Sequence, residues 1–447
     1  GEAATEEIWF ELNERFGETE FLGYEMEEAE GLVLALIVNG EVVENAKQDS
    51  EVAIVLNQTP FYGESGGQEG DRGTIIVGEV SVSVSDTQKK LGCIHVHIGT
   101  VSNGSLKTGD NAVLRIDTAR RRSLRAHHSA THLLHSALRF KLGEHVTQKG
   151  SLVAEKRLRF DVSYPKPITD HELSEIEHAV NRQISANTKV TTRLLTPDEA
   201  IEEGALALFG EKYSEQVRVV HMGNSENQIY SNELCGGTHV DRTGDIGFFK
   251  IISEGAVAAG IRRIEAVTGM KAEAYLESIQ TNLNAAAALL KVANTDVPKR
   301  IGSLLEERRN MEKELTELRR ALLSGGGGID HGMADLKNVA GVKFIGRIME
   351  GVPPRDLKSL ADDLKNQINS GVVALVTSNE GKASLVVGVT NDLLENFNAV
   401  DLVRVGSELV GGNGGGGRPD MAQAGGPDGS NSKNALAAIE KAVSEQT

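Results

Sequence analysis

The sequence predicts a multidomain α+β protein: a small β-barrel plus an α+β domain, a helical hairpin or coiled coil, and a terminal small α/β domain. Three observations carry this. Between residues 32 and 117, short β-branched runs are separated by Gly, Asn and Asp; from 119, helices and strands mix; from 270 to 323 the chain is rich in Ala, Leu and Glu. The length of 447 residues has room for about three domains at roughly 150 residues each. Hydrophobic residues make up 39% and charged residues 25%, the balance of a globular chain with buried cores.

Residues 1–30 read as an acidic helical linker. They hold eleven Glu against one basic residue, Arg15, and 5–16 form a short helix with a solvated face. Residues 31–118 read as the barrel, with strands at 32–38, 52–56, 73–77, 80–85, 94–98 and 111–116. Residues 119–269 read as the α+β domain. It starts with a helix from Ala119 to about Leu142, followed by strands at 151–153 and 158–162. Asp170 caps a helix to about Asn187, with apolar Leu173, Ile176 and Val180, and strands follow at 217–221 and 247–253.

Residues 270–324 read as a coiled-coil hairpin. Ile301, Leu304, Arg308, Met311, Leu315, Leu318 and Leu322 step by three and four, with Arg308 out of place on the seam. Pro298 separates this helix from an earlier one at 276–290, and Gly325 to Gly328 form a flexible joint. Residues 325–447 read as the terminal domain, with strands at 342–349, 372–377 and 383–389 and helices at 355–369 and 434–443. A glycine-dense loop, 411–417 and on to Gly426, precedes its last helix.

No run of about 18 apolar residues occurs, so no membrane span is expected. The start at Gly1, with no basic-plus-apolar leader, reads as a fragment without a signal peptide. Cys93 and Cys235 are too few for a disulfide scaffold, which points to a reducing compartment and a cytoplasmic location. A formal net charge of −17 excludes a protein that grips nucleic acid over its whole surface, but not one with local basic patches.

The chemistry lies in two segments. In Arg125-Ala-His-His-Ser-Ala-Thr-His-Leu-Leu-His135, the four-residue step from His128 to His132 puts both imidazoles on one helix face. In Glu233-Leu-Cys-Gly-Gly-Thr-His239, Cys235 and His239 are again four apart, in a glycine turn. One thiolate and three imidazoles are a complete set for tetrahedral Zn²⁺, with His135 a competing candidate one turn past His132. A zinc-peptidase motif is excluded, because Ser129 stands where the general-base Glu would be.

These paired signatures resemble those of alanyl-tRNA synthetase editing domains and their free-standing relatives. Asn57-Gln-Thr-Pro-Phe-Tyr-Gly-Glu-Ser-Gly-Gly-Gln-Glu-Gly-Asp71 is similar to the family's glycine-rich editing loop, and residues 260–269 to the segment that closes its editing domain. The terminal loop with Arg418, Gln423, Gly425 and Gly426 resembles the family's DHHA1-type domain. The resemblance covers essentially the whole chain and implies a zinc editing domain at 119–269. It implies hydrolysis of Ser-tRNA(Ala) and Gly-tRNA(Ala), one Zn²⁺ per chain, a grip on tRNA(Ala), and a homodimer through the coiled coil and the terminal domain. No stretch resembles the family's class II motifs, so the chain is expected to edit and not to aminoacylate.

By the same resemblance, Thr147 senses the serine hydroxyl and Gln68 lies near the ester. Zinc polarises the carbonyl, lowers the pKa of a water, or fixes the 3′ adenosine. Arg120, Arg121, Arg122 and Arg125 stand before the histidine pair, as tRNA phosphate contacts or as a solvated basic face. Arg418 is a further RNA contact. Two other classes remain in play. A DHH-type phosphoesterase requires Asp-His-His, but the sole His-His pair, His127 and His128, follows Ala126. A non-catalytic RNA-binding or dimerisation module would carry structural zinc and leave Ser-tRNA(Ala) intact.

Overall fold

The computed structural model describes residues 2–206, 215–225, 228–323, 335–350 and 352–446. They divide into two units, Gly1–Leu283 and Asn284–Thr447.

In the first unit, an acidic helix at Glu2–Phe16 leads into the barrel. Six antiparallel strands close it in the order Asn111–Ile116, Gly73–Val77, Val80–Lys90, Ile94–Asn103, Glu51–Leu56 and Glu28–Val38. The ring is completed by pairs from Asn111 with Leu32 to Arg115 with Glu28. Closure follows from the alternation of the strands: every second side chain points inward, and Leu36, Ile54, Leu56, Ile75, Val82 and Leu114 fill the interior. The strand expected to stop at residue 85 runs on to Lys90, past a bulge between Val84 and Asp86. His97 is wholly buried in this barrel, between the Thr59 hydroxyl at 2.7 Å and the Ile54 carbonyl at 3.1 Å.

Behind the barrel, the helix Thr118–Leu142 starts at Asp117, whose carboxylate accepts the Arg120 N–H at 3.0 Å. The helix packs on a four-stranded antiparallel sheet of Gln148–Val153, Leu158–Ser163, Ile261–Thr268 and Phe249–Ala258. Leu133, Leu134, Leu138, Phe160, Ile176, Phe249 and Ile264 form the common core. The strand at Ile261–Thr268 was not expected: its arginines, Arg262 and Arg263, hide a half-buried strand. The cap of the next helix, Asp170–Ser185, is Thr169 rather than Asp170. Thr169 accepts from Glu172 N, while the Glu172 carboxylate accepts from Thr169 N at 2.9 Å, a reciprocal capping box. A second small sheet joins Thr191–Leu195, Val217–Ser225 and Gln228–Leu234.

One buried ion pair fastens the helix to the barrel. Arg121 is 0% exposed and Asp71 is 1% exposed. The guanidinium grips both Asp71 oxygens and donates to the Gly23 and Pro60 carbonyls, each at 2.7 Å. Asp71 also accepts from Tyr62 N at 2.7 Å.

Two helices, Gly269–Leu290 and Val297–Leu323, occupy the region read as a hairpin. The gap between them falls at 291–296, and Pro298 is the second residue of the second helix, where no intrahelical N–H bond is lost. The seam residues Ile301, Leu304, Met311, Leu315 and Leu318 are all exposed. The glycine joint at 325–328 lies outside the described residues.

The second unit contains a six-stranded sheet in the order Leu336–Val339, Val342–Glu350, Val372–Asn379, Lys382–Val389, Met421–Gly426 and Gly415–Arg418. Its one parallel pair, Val342–Glu350 beside Val372–Asn379, is bridged by the helix Leu357–Ile368. That helix covers one face through Leu360 and Leu364. Ala399–Leu409 and Ser432–Glu445 cover the other through Leu402, Val403, Ile439 and Val443. Part of the expected glycine loop is thus an edge strand. At Gly417 a Cβ would lie 2.4 Å from the Met421 carbonyl oxygen, so only glycine pairs there.

Replacing Arg121 by Met leaves Asp71 charged and unpaired. Urea unfolding should show a loss of about 3–5 kcal/mol, and a loss below about 1 kcal/mol would overturn this account. Burial lowers the His97 pKa to about 4, below its ordinary 6.5. The unfolded chain therefore takes up that proton first. The stabilising contribution is complete above pH ~6.5 and is lost as pH falls toward about 4. The thermal midpoint should drop across this window, and less steeply in His97→Asn.

Candidate metal centre

His128 and His132 lie one turn apart on the helix Thr118–Leu142, and their rings stack with centroids 5.2 Å apart. Cys235 and His239 come from the turn that follows the strand Gln228–Leu234. One donor atom from each of the four residues falls within 4.8 Å of the others. Cys235 Sγ is 3.3 Å from both His128 Nε2 and His239 Nε2. Bonds of zinc to sulfur and nitrogen imply donor separations of roughly 3.3–3.8 Å in a tetrahedron. His132 Nε2 is buried without a hydrogen-bond partner. The donor set therefore fits a metal ion of zinc's size and softness.

A second ring of residues orients the first. His128 Nδ1 meets Gln68 Oε1 at 2.7 Å, His132 Nδ1 meets Glu233 Oε2 at 2.6 Å, and His239 Nδ1 meets Ser129 Oγ at 3.1 Å. Gln68 Oε1 and the Glu233 carboxylate can only accept, so these two contacts place a proton on Nδ1 of His128 and His132 and turn Nε2 toward the cluster. Ser129 Oγ, which also accepts from Val240 N at 3.2 Å, holds the His239 ring in place. Gln68 is itself held: its Nε2 donates to Thr238 Oγ1 at 2.9 Å, and its Oε1 also accepts from Thr238 N at 3.1 Å. Gly237 lets the turn approach, since a Cβ there would lie 2.0 Å from His128 Cε1; at Gly236 nothing is within 4 Å.

The electrostatics follow from this crowding. Burial alone would raise the Cys235 thiol, but His128, His239 and His132 outweigh it and bring its pKa well below 9.0. Burial alone would lower His132, but the charges of Glu233 and Cys235 raise it to about 10. Burial would raise Glu233, but His132 and His135 bring it down to about 2. Burial lowers His239 to about 3 despite the nearby thiolate. The crowding thus favours the thiolate form of Cys235, the form a divalent cation would bind, with release of the proton that Glu233 holds on His132.

A cavity of about 480 Å³ opens beside the cluster. His128, His132, Glu233 and Cys235 form part of its wall, together with Ser65, Thr131, Gln148 and Ser151, and Phe21, Tyr24, Tyr62 and His95 contribute aromatic surface.

The four residues chosen from spacing are brought together. His135 is not among them: its Nδ1 meets the other oxygen of Glu233 at 2.9 Å. Gln68 is fully buried and acts on His128 rather than facing the cavity. Thr147 Oγ1 is bonded to Ser163 Oγ at 2.9 Å, and the next residue, Gln148, lines the cavity instead. Arg121 is buried on Asp71 and is not free for phosphate. Arg120 is 5% exposed and paired with Glu69 at 2.8 Å. Arg125 is paired with Glu27 at 3.4 Å. Arg122 is exposed, and so is Arg418, which pairs with Asp420 at 3.0 Å. Sequence reasoning missed Glu233, Ser129 and Thr238. Each lies within the two quoted motifs, so their polarity beside the ligands was the available signal.

Family models match three stretches of the chain. Residues 2–120 match tRNA synthetases class II (A), 217–265 the threonyl and alanyl tRNA synthetase second additional domain, and 341–445 the DHHA1 domain. Fold, cluster and matches together define an aminoacyl-tRNA synthetase-type chain with an additional domain around its donor cluster. The chain is 55% identical over 449 residues to the alanine-tRNA ligases of Mesorhizobium japonicum and Rhizobium meliloti, covering 99% of this chain and 51% of each relative. To the same ligase of Parvibaculum lavamentivorans it is 54% identical over 451 residues, covering 100% of this chain and 51% of the relative. The chain belongs to the alanine-tRNA ligase family. It spans about half the length of the curated relatives it matches. The crystal structure of the C-Ala domain from Aquifex aeolicus alanyl-tRNA synthetase is 29% identical, with 24% of this chain and 97% of that chain covered and a TM-score of 0.24. Among the described residues no helix is long and apolar enough to cross a membrane.

Purified Gly236→Ala should retain the metal content of the wild type, and Gly237→Ala should lose most of it in elemental analysis. Equal contents in the two variants would refute the close approach of Gly237 to His128.

Proposed function

We propose that this chain hydrolyses the ester of tRNA(Ala) wrongly charged with serine or glycine, in the cavity beside His128, His132, Cys235 and His239, and that this cluster holds one Zn²⁺. The observation that carries the reading is the convergence of four donors, each imidazole oriented from behind, on a cavity lined by small hydroxyl and amide groups. A zinc ion there would be held by His128, His132, Cys235 and His239 and would supply a positive centre beside the ester end of the substrate.

The chain's own groups do the selecting. A pocket sized for alanine rejects glycine weakly, and an added hydroxyl is also hard to exclude by binding alone. A second cavity that offers the hydroxyl a partner solves this. With Thr147 bonded to Ser163, that part falls to the hydroxyls in the cavity wall, Ser65, Thr131 and Ser151. Thr131 donates to the His127 carbonyl at 2.9 Å, which leaves its oxygen lone pairs to accept. Gln148 offers an amide that can orient a water or the ester carbonyl. Glu233 stays ionised and holds His132 and His135 by their Nδ1 atoms.

The tRNA body would meet exposed cations, Arg122 and Arg418 among them. The exposed seam of Val297–Leu323 would pair with a second copy of the chain as a coiled coil. A reducing, cytoplasmic setting fits the free thiols of Cys93 and Cys235.

The zinc-loaded chain, incubated with tRNA(Ala) bearing serine, glycine or alanine, should release serine and glycine and spare alanine. Gln68→Ala, which frees His128 Nδ1, should cut serine release by about 10- to 100-fold. Serine release no faster than in buffer would sink the proposal and leave a structural metal site.

A further inference from the structure

The turn that carries Cys235 contains two glycines, which contribute no side chain to hold it and leave its backbone free to move. Yet its polar groups are nearly all taken. Cys235 N donates to the Arg218 carbonyl at 2.9 Å, Gly237 N points at Cys235 Sγ at 3.4 Å, and Thr238 N donates to Gln68. The two glycine carbonyls are taken by a pair of side chains that belong to neither ligand motif. Tyr24 Oη donates to the Gly236 carbonyl at 2.7 Å, across 212 residues of sequence. Arg218 Nη1 donates to the Gly237 carbonyl at 2.6 Å. The Arg218 guanidinium lies over the Tyr24 ring, 3.8 Å from its centroid, and Nη2 reaches Thr192 Oγ1 at 3.3 Å. Tyr24 in turn directly follows Gly23, whose carbonyl is held by buried Arg121.

We propose that Tyr24 and Arg218 form a latch that holds the Cys235-Gly236-Gly237 turn over His128 and His132 and sets how long the metal stays. Both are positioning residues and touch no donor atom. The inference rests on the reading of the cluster as a metal centre. It adds that the centre is not self-contained: half of its latch comes from the segment ahead of the barrel. For metal to leave, Cys235 must swing away with its turn. The phenol, the guanidinium and their mutual stacking oppose that swing, and a planar guanidinium suits the task better than an ammonium.

The test uses the whole chain loaded with Co²⁺, whose thiolate absorption band reports the ligand set, and follows decay of the band after addition of excess EDTA. Tyr24→Phe keeps the stacked ring and removes one hydrogen bond. It should keep the band position and speed the decay about three- to tenfold, the kinetic equivalent of one such bond. Arg218→Ala should speed it by about 10- to 100-fold, with Arg218→Lys in between. The thermal midpoint of the metal-free chain should fall by no more than about 4 °C in Tyr24→Phe, the share of one hydrogen bond. Decay at the wild-type rate in both Tyr24→Phe and Arg218→Ala overturns the latch. So does a metal-free midpoint that falls in step with the decay rate, which would mean a general loss of stability. A wild type that develops no cobalt-thiolate band overturns the metal reading itself, so the two failures are distinguishable.

Discussion

Arg121 sits two helical turns before His128, at the point where the barrel, the segment ahead of it and the histidine helix touch. A buried guanidinium is costly unless its donors are met. Here a bidentate carboxylate and two backbone carbonyls meet them, with the carboxylate tied in turn to Tyr62 N. Because helix rise is about 1.5 Å per residue, an anchor at Arg121 places His128 and His132 along the axis with little freedom. The same anchor fixes the loop of residues 60–71, from whose far end Gln68 reaches back to His128. The ion pair thus couples the barrel to the site through geometry rather than through any charge seen by the ligands.

The donor cluster shows why outer contacts matter as much as ligands. Three imidazoles turn Nε2 toward the cluster, and each ring is held from behind by a different partner: an amide, a carboxylate and a hydroxyl. Glu233 serves His132 and His135 together, so its single buried charge is shared between two ring donors. His135, at ligand spacing from His132, is thus a partner of the carboxylate and not a fifth donor.

Glycine plays two distinct parts. In the ligand turn Gly237 makes room for an imidazole, while in the second unit Gly417 makes room for a neighbouring backbone at a sheet edge. A glycine-dense stretch therefore signals close approach as readily as flexibility. The composition alone does not distinguish the two, and the region read as a loop at 411–417 runs into a paired strand.

Local periodicity determined most of the elements. The six barrel strands, the histidine helix and the alternation in the second unit were legible because side-chain direction repeats every two or 3.6 residues. The pair His128 with His132 was legible for the same reason, and Cys235 with His239 because two metal-ligating residue types flank a pair of glycines. The strand at Ile261–Thr268 was hidden because ion pairs to Asp161 and Glu254 let arginines sit in it. Tertiary packing alone decided the rest. It buried Arg121 and left Arg122 exposed, gave Glu233 to His135, placed Gln68 behind His128 and Gln148 rather than Thr147 at the cavity, and brought Tyr24 to Gly236. Those contacts join residues from 50 to 212 positions apart. They depend on how whole sheets and helices dock, and no local repeat in a sequence encodes that.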